Sequence, residues 1–188
     1  MIESKLHSEL RKLIPKLQMS QADRELLIYK LSTSKLTRHD DPASHLDVML
    51  LIYDPRRQEI LIGDHKKSGL WLVNGGHLEP EENLAQAASR ELAEEVGWQL
   101  PPSEINPPEF LTICSIENDR QACRRHYDIW FFLATDKEHL LIDAEKMRAE
   151  YHEWGWFDLP SARKLKTSVN HLQVFDYLEQ KFLHEKSS

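Results

Sequence analysis

GGHLEPEENLAQAASRELAEEVGW, residues 75–98, is the stretch on which the reading of this chain turns. It opens on the pair Gly75-Gly76, which predicts a tight turn, and runs through an acidic loop to Asn83. From Leu84 to Val96 the composition predicts a helix. Asn83 suits the N-cap, and Gln86 stands where it completes a capping box. Gly97 sits where helices commonly end. Ala85, Ser89, Leu92 and Val96 recur at helical spacing and predict the face that packs on a sheet. Glu91, Glu94 and Glu95 fall on the other side at i, i+3 and i+4. Three carboxylates so close repel one another, and the dipole disfavours them in the last turns of a helix. Two readings remain: a solvated acidic face, or a divalent cation that offsets the repulsion. Hard oxygen ligands point that cation towards Mg²⁺ or Mn²⁺. Arg90 adjoins the cluster and Glu82 precedes the helix, so an Arg90–Glu82 pair is expected to brace loop against helix.

The chain has 188 residues, enough for one domain with an extension. Net charge is −7, from 24 basic and 31 acidic residues, which argues against a general binder of nucleic acid or of membrane surfaces. Positive charge for a phosphate ligand must then be concentrated locally. No apolar run is long enough to span a bilayer, and MIESKLHSELRK carries charge where a leader peptide needs an apolar core. A cytoplasmic location is therefore expected. Cys114 and Cys123 are the two cysteines. Their spacing fits no metal motif, and free, partly buried thiols are expected, with a pair facing across a hairpin as the alternative.

Residues 1–38 predict a helical extension. Leu6, Leu10, Leu13 and Leu17 form its first stripe, interrupted at Pro15. A second helix is expected after Ser20, with Leu26, Leu27, Tyr29 and Leu31 as its apolar residues. Core packing, a subunit contact and a cover for substrate are all open to this extension. Ser32 to His45 reads as a linker. Strands are expected at Leu46–Tyr53, Glu59–Gly63, Leu70–Val73, Phe110–Ile116, Tyr127–Ala134 and Trp154–Phe157, the fourth and fifth joined through Glu117 to Arg125. Residues 161–185 alternate at helical spacing, with Leu172, Phe175, Leu178 and Phe182 on one side. This order of strands, helix, strands and helix fits a mixed sheet with helices on both faces.

The spacing Gly76, five residues, Glu82, seven residues, Arg90-Glu91-Leu92-Ala93-Glu94-Glu95-Val96-Gly97-Trp98 resembles the complete Nudix box. Its fixed identities, each expected about once in fifteen residues, make a chance match rarer than about one in a million. The resemblance implies an α/β/α sandwich with a mixed sheet at residues 39–188, in which the box forms a loop–helix–loop. It implies a metal-dependent pyrophosphohydrolase acting on a nucleoside diphosphate linked to another group, with Glu91, Glu94 and Glu95 as metal ligands, Arg90 orienting and Glu82 bracing. Glu91, Glu95 or a later carboxylate is the general base; Glu145, Glu150 and Glu153 are the later candidates, each also readable as a solvated loop residue. The carbonyl of Gly75 or Gly76 is a further candidate metal contact.

Among the histidines, His77 is the strongest candidate for substrate contact, ahead of His126 (beside Asp128), His45 and His65. Lys66, Lys67, Arg124 and Arg125 offer cations for phosphate. Trp71 and Trp130 suit either base stacking or core packing. Asn74 stands where the family often has proline. Both cysteines follow the box, unlike the catalytic cysteine of isoprenoid diphosphate isomerases, which precedes it. Markers of the ADP-ribose, dinucleoside polyphosphate and coenzyme A branches are missing, which leaves a nucleoside triphosphate or a nucleotide sugar as the favoured small-molecule partner. A homodimer is possible. The alternative function is a non-catalytic Nudix domain that senses a nucleotide or holds a protein partner.

Overall fold

The structure, a computed structural model, describes residues 5–116 and 122–185. The architecture is mixed α/β, as the resemblance implies, and N-terminal helices precede the sheet, as the leucine spacing predicts. Helices α1 (Lys5–Leu13) and α2 (Gln21–Ser32) come first. Strands β1 (Ser44–Asp54), β2 (Glu59–His65), β3 (Leu70–Leu72) and β4 (Asn74–His77) follow. Helix α3 (Leu84–Glu91) leads into a π-helical turn at Leu92–Val96. Then come β5 (Phe110–Ser115), β6 (Arg125–Ala134), α4 (Ala144–Glu150), β7 (Tyr151–Asp158), α5 (Leu159–Ala162) and α6 (Val169–Glu185). Strand order in the sheet is β3-β2-β1-β6-β5, with β4 paired to β1 and β7 to β2.

The chain forms two compact units. One comprises residues 1–49, 75–90 and 101–131; the other comprises 50–74, 91–100 and 132–188. In the first, β5 and β6 pair antiparallel with Cys114 opposite His126. The expected connection from Glu117 to Arg125 falls partly outside the described residues, since 117–121 are not among them. The segment after α1 runs beside β5: the Gln18 N–H donates to the Glu109 carbonyl at 2.8 Å, and the Leu111 N–H to the Gln18 carbonyl at 2.9 Å. That covers backbone groups at a strand edge that would otherwise be open to pairing. Ser20 caps α2 by accepting from the Asp23 N–H. Helix α2 buries Leu27, Lys30 and Leu31 and leaves Tyr29 exposed, contrary to the apolar pattern. Lys30 is tolerated inside because its Nζ donates to Asp41 at 2.9 Å and to the Ser44 carbonyl.

In the second unit, β2 is flanked by β3 and β7, both antiparallel to it. Helix α6 starts at Val169, later than the periodicity predicts, because α5 and a turn occupy the beginning of the stretch. Val174, Phe175, Leu178 and Phe182 are buried along it. The region around Glu145 forms helix α4 instead of a loop; Asp143 caps it by accepting from the N–H groups of Glu145 and Lys146. A single Asx cap before a seven-residue helix is a weak sequence signal.

His171 is fully enclosed on α6. Its Nε2 accepts the Val73 N–H at 3.1 Å, and its Nδ1 lies 2.8 Å from Ser168 Oγ. Burial pushes the ring from its ordinary 6.5 down to about 3, so the folded state holds it neutral. Between those values the unfolded chain binds a proton that the folded chain excludes. The stability His171 contributes is thus complete above about 6.5 and is lost as pH falls towards 3. Urea titrations at stepped pH should show the wild type losing stability faster than His171→Gln, by up to about 1.4 kcal/mol per pH unit between about pH 5.5 and 4. Equal slopes would contradict this account of the ring.

Candidate functional site

The box helix begins as its capping pattern predicts. The Asn83 N–H donates to Gln86 Oε1 at 3.0 Å, and the Gln86 N–H to Asn83 Oδ1 at 2.9 Å. The extension adds a third bond: Glu9 on α1 accepts the Leu84 N–H at 3.3 Å. Burial raises the Glu9 carboxyl above its ordinary value, and this bond works in the opposite direction. The packed residues are Leu84, Ala87, Ala88, Leu92 and Val96, whereas Ala85 and Ser89 are only half-buried.

The glycine pair is not a turn. Asn74–His77 is strand β4, and Gly75 stands at φ +145° against β1. A Cβ at Gly75 would lie 2.2 Å from the Val48 carbonyl oxygen, so glycine is needed there for close approach as well as for conformation. The expected brace is present. Arg90 Nε donates to Glu82 Oε1 at 2.8 Å, and Arg90 Nη2 donates to Glu82 Oε2 at 3.0 Å and to the His77 carbonyl at 2.9 Å. Burial disfavours the Glu82 charge, but the guanidinium and the Glu79 N–H outweigh it and hold the carboxyl below its usual range.

Beyond Arg90, hydrogen bonding changes to the π pattern over Leu92–Val96 and stops at Gly97, whose φ of +82° closes the helix. The three glutamates differ in environment. Glu91 is buried, Glu94 exposed and Glu95 half-buried, so they do not share one solvated face. Glu95 Oε2 accepts from Asn74 Nδ2 at 3.0 Å and from the Tyr151 hydroxyl at 3.2 Å. Tyr151 is buried and its phenol is pushed well above its ordinary value, first by burial and then by the Glu95 charge. Asn74 therefore has a positive role: it supplies a donor where proline has none. The sequence gives no signal for Tyr151, which lies 56 residues from its partner.

Of the later carboxylates, Glu145 and Glu153 are exposed, the latter within β7. Glu150 pairs with Lys67 Nζ at 2.9 Å and lies 3.8 Å from His65 Nε2. Lys66 Nζ donates to the Arg148 carbonyl. Trp71 is half-buried and meets Phe157 edge-on at 5.3 Å. Trp130 is fully buried, its Nε1 donating to Thr112 Oγ1 at 2.9 Å, so it is a core residue. Arg124 is exposed and donates to the Cys123 carbonyl.

Within the first unit, histidines from separate segments converge. His45, His77, His126 and Cys123 each offer a ligand atom within 4.8 Å of the others, and Asp47, His126 and Asp128 form an overlapping group. A cluster of His and Asp able to hold a divalent cation is therefore present. His126 Nδ1 lies 2.9 Å from Asp47 Oδ2. Burial opposes charge on His126, but Asp47 outweighs it and lifts the ring to about 9. His77 goes the other way: burial prevails over the pull of Asp47 and lowers it to about 4. Both cysteines are free. No single stretch announces this cluster, because its members lie at 45, 77, 123 and 126.

The NUDIX domain matches residues 43–178, and the chain belongs to that family. The nucleoside triphosphatase NudI of Escherichia coli strain K12 is 45% identical over 94 residues, which cover 47% of this chain and 61% of that protein. The m7GpppN-mRNA hydrolase NUDT17 of Danio rerio is 30% identical over 113 residues, covering 54% of this chain and 36% of that protein. This chain thus spans less than two thirds of either relative. Among solved structures, the E. coli dihydroneopterin triphosphate pyrophosphohydrolase is similar at TM-score 0.59 and 22% identity, covering 70% of this chain and 92% of that one. The MutT protein of Methanosarcina mazei Go1 gives 0.56 and 18%, covering 78% and 97%. At these identities the structures show the fold. No helix among the described residues is long and apolar enough to cross a membrane.

Arg90→Lys tests the brace. Lysine cannot keep both carboxylate bonds and the carbonyl bond, so the unfolding free energy in urea should fall by about 1–3 kcal/mol. Unchanged stability would mean that the guanidinium fork contributes nothing.

Proposed function

We propose that this chain is a metal-dependent pyrophosphohydrolase that cleaves a diphosphate linkage in a nucleoside diphosphate derivative, with a nucleoside triphosphate or a nucleotide sugar favoured. One observation carries the reading: the box keeps every residue its chemistry requires, and Arg90 and Glu95 are held by directed hydrogen bonds. The donor set suits a hard cation, because Glu91, Glu94 and Glu95 offer only oxygen. Those three carboxylates would hold Mg²⁺ or Mn²⁺, which when bound withdraws charge from the phosphate oxygens and acidifies water.

The side chains do the remaining work. Asn74 and Tyr151 both donate to one oxygen of Glu95, which fixes its rotamer. Arg90 neutralises Glu82 and pins the His77 carbonyl, so the acidic loop keeps one shape when an anionic substrate arrives. Glu91 or Glu95 accepts the proton of the attacking water; Glu150 is the weaker candidate because Lys67 engages its carboxylate. NudI supports a nucleoside triphosphate by its name, and identity over 47% of this chain makes that the first class to assay.

The test is hydrolysis of a panel of nucleoside triphosphates, nucleotide sugars and dinucleotides with Mg²⁺ or Mn²⁺, scored for phosphate, pyrophosphate and monophosphate. Turnover of one class is expected, with Glu94→Gln lowering it at least about 100-fold. Because Glu94 is exposed among like charges, the metal-free melting temperature of that variant should stay level or rise. Binding without hydrolysis across the panel would favour the sensor reading instead.

A further inference from the structure

We propose that His45, His77, Cys123 and His126 form a second metal site, built for a borderline cation of the Zn²⁺ class. The box carboxylates suit hard cations; this group offers imidazole nitrogens and one sulfur, the donors that select zinc.

The geometry is close to what such an ion needs. Cys123 Sγ lies 3.6 Å from His45 Nε2 and 3.9 Å from His77 Nε2. Zinc bond lengths place sulfur and nitrogen ligands of a tetrahedral ion about 3.6 Å apart. The rings pack around that sulfur with centroid separations of 4.8, 4.8 and 5.4 Å.

The outer contacts aim the right atoms inward. His45 Nδ1 lies 2.9 Å from the Asp41 carbonyl, which can only accept, so Nδ1 carries the proton and Nε2 presents a lone pair. His126 Nδ1 faces Asp47 Oδ2 at 2.9 Å, the carboxylate–histidine pairing that orients metal ligands. Two buried atoms have no hydrogen-bond partner among the described residues: His126 Nε2 and Asp47 Oδ1, the latter on a side chain only 7% exposed. An orphaned imidazole nitrogen inside a ring of ligand atoms is costly unless something occupies the centre.

Four protein ligands complete a tetrahedral shell and leave no open position, so the ion would serve structure. It would join β1, the end of β4 and the start of β6, three segments of the first unit. It also assigns the rings of His77 and His126 to a cation rather than to a phosphate. The site stands apart in chemistry from the box, and its test does not depend on turnover.

The experiment takes chelator-treated full-length chain and titrates Zn²⁺ against a chromophoric chelator, with Co²⁺ as an optical probe in parallel. One tight equivalent of Zn²⁺ is expected. The Co²⁺ form should show intense tetrahedral bands and a sulfur-to-cobalt charge-transfer band. Cys123→Ser should abolish the charge-transfer band and weaken Zn²⁺ binding at least about 100-fold, while the double variant Glu94→Gln with Glu95→Gln stays within about twofold of wild type. Weak octahedral Co²⁺ bands, undiminished Zn²⁺ affinity in Cys123→Ser, or loss of the tight equivalent in the glutamate variant would each overturn the site. If Cys123→Ser does not fold, the wild-type cobalt spectrum and zinc stoichiometry decide the matter.

Discussion

Like charges on one short helical stretch repel, and the conformation around Glu91, Glu94 and Glu95 is arranged to tolerate that repulsion. The turn opens to the π pattern, Gly97 ends it in the left-handed region, and two neutral donors take hold of Glu95. Lys146 Nζ donates to the Ala93 carbonyl at 2.5 Å, putting a cation near the negative end of the helix. Neutral hydrogen bonds from Asn74 and Tyr151 orient the Glu95 carboxylate without cancelling its charge.

The N-terminal extension has a physical role that its apolar stripes only hinted at. Glu9 accepts the first N–H of the box helix, and Gln18 pairs beside β5. The chain that precedes the family's matched region therefore finishes two elements of it. A helix N-terminus without such an acceptor leaves N–H groups unsatisfied, and an uncovered strand edge invites pairing with another chain.

Local patterns were legible in the sequence; convergent ones were not. The capping box at Asn83 and Gln86, the stop at Gly97 and the Arg90–Glu82 pair all lie within a few residues of their partners, and spacing alone revealed them. The glycine pair misled because a Gly-Gly dipeptide signals a turn, whereas Gly75 serves the close passage of β4 along β1. Taking Ala85 and Ser89 as the packed face placed Glu91 outside, whereas Leu84, Ala87, Ala88 and Glu91 recur at helical spacing on the face that is buried. Tyr151 and the histidine cluster were invisible for one shared reason. Each depends on the pairing of distant strands, and no residue type at any one of those positions is unusual by itself.

The proposed function requires the crowded carboxylates to hold a hard divalent cation. The most direct measurement is anomalous diffraction from a crystal of the full chain soaked in Mn²⁺. A strong anomalous peak ligated by oxygens of Glu91, Glu94 and Glu95 is expected, with the Asn74 and Tyr151 bonds to Glu95 intact. Manganese absent from those three side chains at saturating concentration, with the carboxylates turned to solvent, would contradict it.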